Sequence, residues 1–299
     1  MITAKEIKMT AGTNTAAMAL QIMTTQWLAE MCRIEAVKPD GTRIPIPRNK
    51  AVIRDDLLTP EAVLGVVGLV YEPIQNPAAF AFFDILTQQY NGTYQKGYII
   101  DNGRQIIIIA KIGDDYEVRP GDVISDHITL MNSFDGSSPF KAFFTPIRKL
   151  SGAHCRATFG GAVNSVAIRH TITASTRMSD AMTVLNVSAT FFEQFKNLSK
   201  QMAGKALTRK LIDEFLLNVF GEVKTKPNKE KLETIANLIV NGTGNTGKSL
   251  WDAYNGVIEW ADFYRYAGKK NADILNAGSA VLTGVGIKEK AFRTAVSML

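Results

Sequence analysis

Residues 98–109 read Tyr-Ile-Ile-Asp-Asn-Gly-Arg-Gln-Ile-Ile-Ile-Ile, so two apolar runs flank the tripeptide Asp101-Asn102-Gly103. An Asn-Gly pair between apolar runs is the strongest short signal for a β-hairpin, because both residues tolerate the positive φ of a tight turn. The pattern therefore predicts two antiparallel strands joined at this turn.

The segments after this hairpin also alternate between apolar runs and turn residues. Turns are indicated at Gly113-Asp114-Asp115, Arg119-Pro120-Gly121-Asp122 and Asp135-Gly136. Strands are predicted over residues 123–133, 140–150 and 163–174. Because short turns join antiparallel neighbours, the pattern predicts an antiparallel β-meander.

Helical patterns lie on both sides of the meander. Asn76-Pro77 predicts a helix start, because proline suits the first helical turn, and Asn91-Gly92 predicts its end. After Ser179, apolar residues recur at spacings of three and four up to Met202, which predicts a helix with one apolar stripe. Further helices are predicted over residues 207–220, 229–240, 250–266 and 288–298.

The order of these elements indicates the fold class. Strands followed by helices are typical of an α+β fold, whereas a parallel sheet needs strands and helices in alternation. We therefore expect an α+β domain with an antiparallel sheet over residues 1–178 and a helical region over residues 179–299. The long helix after Ser179 is expected to cover the meander sheet.

Charge is distributed unevenly along the chain. The whole sequence holds 34 Lys and Arg against 28 Asp and Glu, a formal net charge of +6. Residues 136–179 hold six cations and no carboxylate, which equals the entire surplus. Either an external polyanion supplies the missing negative charge, or these cations pair with the acidic residues of the N-terminal half.

A single-stranded nucleic acid is the polyanion that this segment favours. Proteins that bind single strands combine cations for phosphates with aromatic rings that stack on bases. The predicted phosphate contacts are Arg148, Lys149, Arg169, Arg177, Lys141 and Arg156. Phe143 and Phe144 are the candidates for base stacking, with ordinary packing in the core as the alternative.

Residues 242–249 read Gly-Thr-Gly-Asn-Thr-Gly-Lys-Ser and match the G-x-x-x-x-G-K-[ST] pattern of a phosphate-binding loop. Such a loop follows a buried strand, but residues 229–240 have the pattern of a charged amphipathic helix. A glycine-rich connection between two helices is the alternative. A P-loop NTPase therefore stays open as a less favoured function.

Other functional classes find little in the sequence. The longest nearly uncharged apolar run, residues 62–71, is too short for a membrane span, and the N-terminus has no pattern of a signal peptide. Cys32 and Cys155 do not have zinc spacing, and His170 falls on an apolar face as a buried histidine would. We expect a cytoplasmic protein without metal, cofactor or covalent catalytic site.

Several short motifs resemble a family of phage and plasmid proteins, the domain of unknown function 932. They are Pro120-Gly121-Asp122, residues 132–137 (Asn-Ser-Phe-Asp-Gly-Ser), residues 144–148 (Phe-Thr-Pro-Ile-Arg), Arg169-His170-Thr171 and residues 249–257 (Ser-Leu-Trp-Asp-Ala-Tyr-Asn-Gly-Val). The order of the predicted elements is also similar to the core of phage single-strand annealing proteins. That resemblance implies a ring or filament of protomers with a basic groove for the strand.

Together these observations predict a phage or plasmid protein that binds single-stranded DNA as a homo-oligomer and serves recombination or replication. Annealing would be positional, because the protein would hold strands extended and screen their charge. A virion or assembly protein, which would self-associate without DNA, is the alternative from another class.

Overall fold

A computed structural model describes residues 4–157, 165–185, 188–222, 225–268 and 285–299. Within these ranges the chain forms an α+β fold with antiparallel sheets and a helical C-terminal region, as the sequence predicts. The strands are β1 Ala4–Lys8, β2 Ala29–Val37, β3 Arg43–Arg54, β4 Val63–Gly68, β5 Thr93–Ile100, β6 Gln105–Lys111, β7 Tyr116–Arg119, β8 Asp122–Ser125, β9 His127–Ser133, β10 Phe140–Phe144, β11 Ile147–Arg148 and β12 Ser165–Ile168. The α-helices are α1 Ala16–Met23, α2 Asn76–Gln89, α3 Ala174–Leu185, α4 Ser188–Gly204, α5 Arg209–Phe220, α6 Lys226–Asn241, α7 Leu250–Glu259 and α8 Val285–Ser297.

The chain divides into two compact units, each built from three segments. Unit 1 consists of Met1–Gly113, His127–Phe144 and Ser165–Asn186. Unit 2 consists of Asp114–Asp126, Thr145–Asn164 and Val187–Leu299. The chain passes from unit 1 to unit 2 for the last time after Asn186, eight residues beyond the expected domain boundary at 178. Two segments of the expected first domain, residues 114–126 and 145–164, belong to unit 2.

Unit 1 contains a six-stranded antiparallel sheet in the order β1-β5-β6-β9-β10-β12. The hairpin predicted from residues 98–109 is confirmed, since β5 pairs with β6 and Ile100 lies opposite Gln105. The turn between them has positive φ at Asp101, Asn102 and Gly103. Asn and Gly accept this conformation with little strain, which explains why this turn was readable from sequence.

Helices α1 and α2 cover one face of this sheet. Helix α2 begins at Asn76 with Pro77 in its first turn, as predicted. Its Phe82 packs edge to face on Phe140 of β10, with ring centroids 5.4 Å apart. Met23 of α1 lies so close to Gly97 of β5 that a Cβ there would meet its sulfur. Unit 1 also holds a second sheet in the order β2-β3-β4.

Two predicted strands are each divided between two sheets. Residues 123–133 form β8 in a three-stranded sheet of unit 2 and β9 in the six-stranded sheet, with a break at Asp126. Residues 140–150 form β10 and β11 in the same two sheets. Pro146 lies at the second break, where it has no N–H to continue a ladder.

The third corrected strand is β12. It ends at Ile168, four residues long, and helix α3 begins at Ala174. Ile172 falls within the predicted strand but lies after the end of β12, and it is 88% exposed. His170 is buried, so the prediction of a buried histidine at this position is confirmed.

Unit 2 combines the sheet β11-β8-β7 with helices α4 to α8. The predicted apolar stripe is present on α4, where Phe191, Phe195 and Met202 are buried. Helix α4 packs on β7 and α7 within unit 2, whereas α1 and α2 cover the six-stranded sheet within unit 1. Of the predicted meander, this helix therefore packs on β7, and its buried side is shared with a helical core around Trp251 of α7.

Candidate functional site

Arg148 is the most deeply buried of the predicted phosphate contacts. Its side chain is 0% exposed and forms a bidentate ion pair with Asp122, with Nε 2.7 Å from Oδ1 and Nη2 2.6 Å from Oδ2. Trp251 Nε1 donates a further hydrogen bond of 3.0 Å to Asp122. A fully buried guanidinium cannot meet an external phosphate, so this prediction for Arg148 is wrong.

The remaining donors of Arg148 hold the glycine-rich loop, residues 242–249. Its Nη1 donates to the carbonyl of Thr243 at 3.0 Å and to Asn245 Oδ1 at 2.7 Å, and its Nη2 donates to the carbonyl of Gly244 at 2.7 Å. Arg119 Nη2 also donates to the Gly244 carbonyl at 2.7 Å. The loop therefore turns carbonyl oxygens toward two arginines.

The N–H groups of the same loop bind a carboxylate that belongs to the chain. Asp252 accepts hydrogen bonds from the backbone N–H of Thr246, Lys248 and Ser249, at 3.0–3.2 Å. It also pairs with Arg119, with Nη2 2.6 Å from Oδ1. Burial alone would raise the pKa of Asp252, but the bonds from Arg119 and Ser249 lower it below the usual value.

This geometry does not favour the phosphate-loop interpretation. In a P-loop the backbone N–H groups are open to a nucleotide phosphate, whereas here the Asp252 carboxylate fills that position. The loop also follows helix α6 and not a strand. Ser249 and Asp252 form a capping box that starts α7, so the loop has the geometry of a helix–helix connection.

The other two predicted cations of unit 2 are also engaged. Lys149 is exposed but pairs with Asp115, with its Nζ 2.6 Å from Oδ2. Arg156 is buried, and its Nη1 donates to Thr145 Oγ1 at 2.8 Å. Burial lowers the pKa of Arg156 to about 10. Neither side chain presents a free positive charge for DNA in this structure.

A cluster of buried titratable groups lies nearby in unit 2. Lys288 contacts the Asp262 carboxylate and donates to the His154 carbonyl at 3.1 Å, while His154 N–H donates to Asp262 at 2.7 Å. Burial raises the pKa of the Cys155 thiol to about 12. A thiol that stays protonated is a poor nucleophile, so this cluster has the properties of a polar core. No group of three metal-ligating residues occurs among the described residues.

The three remaining predicted cations belong to neighbouring elements of unit 1. Lys141 on β10 is half-buried, whereas Arg169 after β12 and Arg177 on α3 are exposed. Lys141 lies opposite Ala167 on β12, two residues before Arg169, and α3 packs on β12. None of the three forms an ion pair with a residue that the structure describes. We name these three side chains the unit 1 cationic surface.

The predicted stacking residues are in the wrong environment for that role. Phe143 is 7% and Phe144 2% exposed, so neither ring presents a face to a base in this structure. The aromatic pair that borders Arg169 is instead Tyr71 and His170, stacked with ring centroids 5.0 Å apart. Burial lowers the pKa of His170 to about 4, so this imidazole is neutral near pH 7.

Tyr71 and Arg169 line an open groove between the end of β4 and the loop after β9. The loop is held by Asp135, whose Oδ1 accepts from Ser133 Oγ at 2.6 Å and from Ser137 N–H at 2.9 Å. Gly65 of β4 allows the loop to approach the strand closely, because a Cβ there would lie 2.6 Å from the Asp135 Cα. Hydrogen bonds and close packing therefore fix the shape of the groove in unit 1.

A comparison with protein families covers the residues of both the loop and the groove. A family model described as "Domain of unknown function (DUF932)" matches residues 63–280. The chain belongs to this family. Searches among curated proteins and among solved structures found no match. No helix in the described ranges combines the length and the apolar character that crossing a membrane requires.

The motifs that carried the resemblance fall into two groups in this DUF932 protein. Asp122, Arg148, Trp251 and Asp252 meet at the glycine-rich loop in unit 2. Residues 135–137 of the motif at 132–137, and the motif at 169–171, line the groove in unit 1. Sequence reasoning missed Asp122, Tyr71 and Asp252 as functional partners, because the contacts join residues far apart in the chain. The capping signature Ser249-x-x-Asp252 is a local signal for the start of α7 at the end of the loop.

Proposed function

We propose that this protein binds single-stranded DNA through the unit 1 cationic surface, acting as a homo-oligomer in annealing-type recombination or replication. Lys141, Arg169 and Arg177 would contact phosphates. The observation that carries the proposal is that these three predicted cations have no ion pair among the described residues. The three cations in unit 2 have partners within the chain.

The difference between the two sets has a physical basis. A buried arginine paired with a carboxylate is already neutralised, and removing it from its partner to bind DNA would leave that carboxylate unpaired. An exposed arginine without a partner loses no such interaction when a phosphate approaches. Phosphate contacts of this kind supply most of the non-specific affinity for DNA.

Tyr71 supports the proposal as an aromatic group beside the cations. It is half-buried and lines the groove next to Arg169. Its hydroxyl donates to the Ser133 carbonyl at 2.7 Å and its ring stacks on His170, so its position is fixed. A base stacked on a fixed ring gains roughly 1–3 kcal/mol.

The test is fluorescence anisotropy with a labelled oligodeoxythymidine, on the wild type and on Lys141→Glu/Arg169→Glu/Arg177→Glu. We expect the triple variant to lose affinity by at least about tenfold, because three attractive phosphate contacts become repulsive. The matched control is Lys149→Glu, an exposed cation of unit 2 that already pairs with Asp115. Equal losses in both variants, or no loss in the triple variant, would contradict the proposal.

A further inference from the structure

We propose that residues 33–50 of one copy, the arm, dock on residues 55–63 of a second copy, the acidic end. The contact is head to tail and lies entirely on unit 1. It supplies the self-association required by the proposed function, but it does not depend on DNA binding.

The arm is the distal part of the β2–β3 hairpin. Every residue from 35 to 48 is exposed, so no described part of the chain packs against it. Strand β4 pairs with β3 only from Asn49 onward, so the distal half of β3 has one neighbour, β2. Pro45 and Pro47 lie in this half, where their missing N–H groups oppose the addition of another strand. The arm is therefore suited to contact by side chains.

The two faces of the arm differ. Ala36 lies opposite Ile44, and Ile46 follows on the same face, so this face is apolar. Ile44 is 43% and Ile46 39% exposed. The opposite face carries the ion pair between Arg43 and Glu35, with Nη1 3.4 Å from Oε2. An amphipathic hairpin whose apolar face has no cover in its own unit is typical of an interaction element.

Charge indicates where a second copy would receive it. The arm holds the cations Arg33, Lys38, Arg43, Arg48 and Lys50 against two carboxylates, Glu35 and Asp40. The acidic end holds the three carboxylates Asp55, Asp56 and Glu61 and no cation. It also exposes Leu58 fully and Val63 in part, beside a recess lined by Glu61, Val63, Asp101 and Arg104. Asp56 pairs with Arg54 and Asp101 pairs with Arg104, so Asp55 and Glu61 carry the negative charge that no ion pair among the described residues offsets. Both surfaces thus combine apolar side chains with charge, and the charges are opposite.

The distal end of the arm and the acidic end cannot meet within one chain. Strand β3, of 12 residues, runs from the arm at Arg43 to the acidic end after Arg54. At about 3.3 Å per residue these ends are about 40 Å apart. A contact between opposite ends of one element is heterologous, so repeated copies form a ring or an open filament.

The test is size-exclusion chromatography with light scattering, without DNA, on two defective variants. The arm variant is Ile44→Glu/Ile46→Glu, and the acceptor variant is Leu58→Lys/Glu61→Lys. All four side chains are exposed, so both variants should retain the wild-type circular dichroism spectrum. We expect the wild type to exceed the 32.8 kDa monomer mass with rising concentration, and each variant to remain monomeric.

Mixing the two variants is the decisive experiment. Each mixture partner keeps the half that the other has lost, so an equimolar mixture should give a species of two chains and no larger one. Wild-type chains that stay monomeric, variants that still assemble, or a mixture that stays monomeric would each overturn the inference.

A matched control separates this contact from a general effect of added charge. Leu217→Glu changes an exposed leucine of α5 in unit 2 and should leave assembly unchanged. Equal loss of assembly in this variant would also overturn the inference. The DNA-binding variant Arg169→Glu should still assemble, so failure of the proposed function and failure of this inference give different results.

Discussion

At the scale of single residues, whether a cation is available to bind a phosphate depends on its burial and on its partners within the chain. Sequence counting placed Arg148 and Arg169 in one basic segment, yet Arg148 is enclosed and Arg169 is exposed. Asp122, which neutralises Arg148, lies 26 residues away, and the loop carbonyls lie more than 90 residues away. No local pattern reveals such pairs.

The first prediction concerns the buried ion pair. Arg148→Met should lower the free energy of unfolding by about 3–5 kcal/mol, because it leaves the Asp122 carboxylate buried and unpaired. Lys149→Met is the matched control, since it breaks an exposed pair and should cost less than about 1 kcal/mol. Urea denaturation of both variants gives the comparison. Similar losses of unfolding free energy in the two variants would contradict a stabilising role for the buried Arg148–Asp122 pair.

The second prediction concerns Asp126, which is buried in unit 2. Burial raises its pKa to about 8, although neighbouring Tyr116 and Lys196 lower it in part. Between about pH 4 and pH 8 the folded state holds a proton that the unfolded state has released, so stability should fall as pH rises through this range. Asp126→Asn should remove this contribution, and its melting temperature should fall less than that of the wild type. Parallel pH profiles would contradict the assignment.

At the scale of elements, short signals with their own chemistry were predictable. The turn at Asn102-Gly103, the start of α2 at Asn76 and the inward position of His170 all followed from local rules. Membership of a sheet did not. The two runs that looked continuous, residues 123–133 and 140–150, each change sheet in the middle, and only tertiary contacts determine where.

The third prediction concerns the glycine-rich loop as an element. Lys248→Ala should leave the melting temperature unchanged, with or without Mg-ATP, because Asp252 already occupies the N–H groups of the loop. Asp252→Asn should lower the free energy of unfolding by about 1.5–3 kcal/mol, since charged hydrogen bonds are lost. Differential scanning fluorimetry and urea denaturation give these values. Stabilisation by Mg-ATP that Lys248→Ala abolishes would support an NTPase instead.

At the scale of the whole molecule, the two units contain different kinds of polar chemistry. Unit 2 encloses two networks of charged groups, around Arg148 and around Asp262. Unit 1 leaves Arg169 and Arg177 exposed and Lys141 half-buried, without an ion pair among the described residues. The sequence predicted an α+β fold but treated the basic segment as one surface, because interleaving of the units at residues 126 and 144 has no local signature.

The most direct measurement is the salt dependence of the association constant for labelled oligodeoxythymidine. Each phosphate contact contributes a slope of about −0.7 to the plot of log K against log salt for a single strand. Three contacts from Lys141, Arg169 and Arg177 predict a slope of about −2 for the wild type, and Arg169→Gln should make it shallower by about 0.7. A flat salt response, or a slope that Arg169→Gln leaves unchanged, would contradict the claim that the unit 1 cationic surface binds DNA.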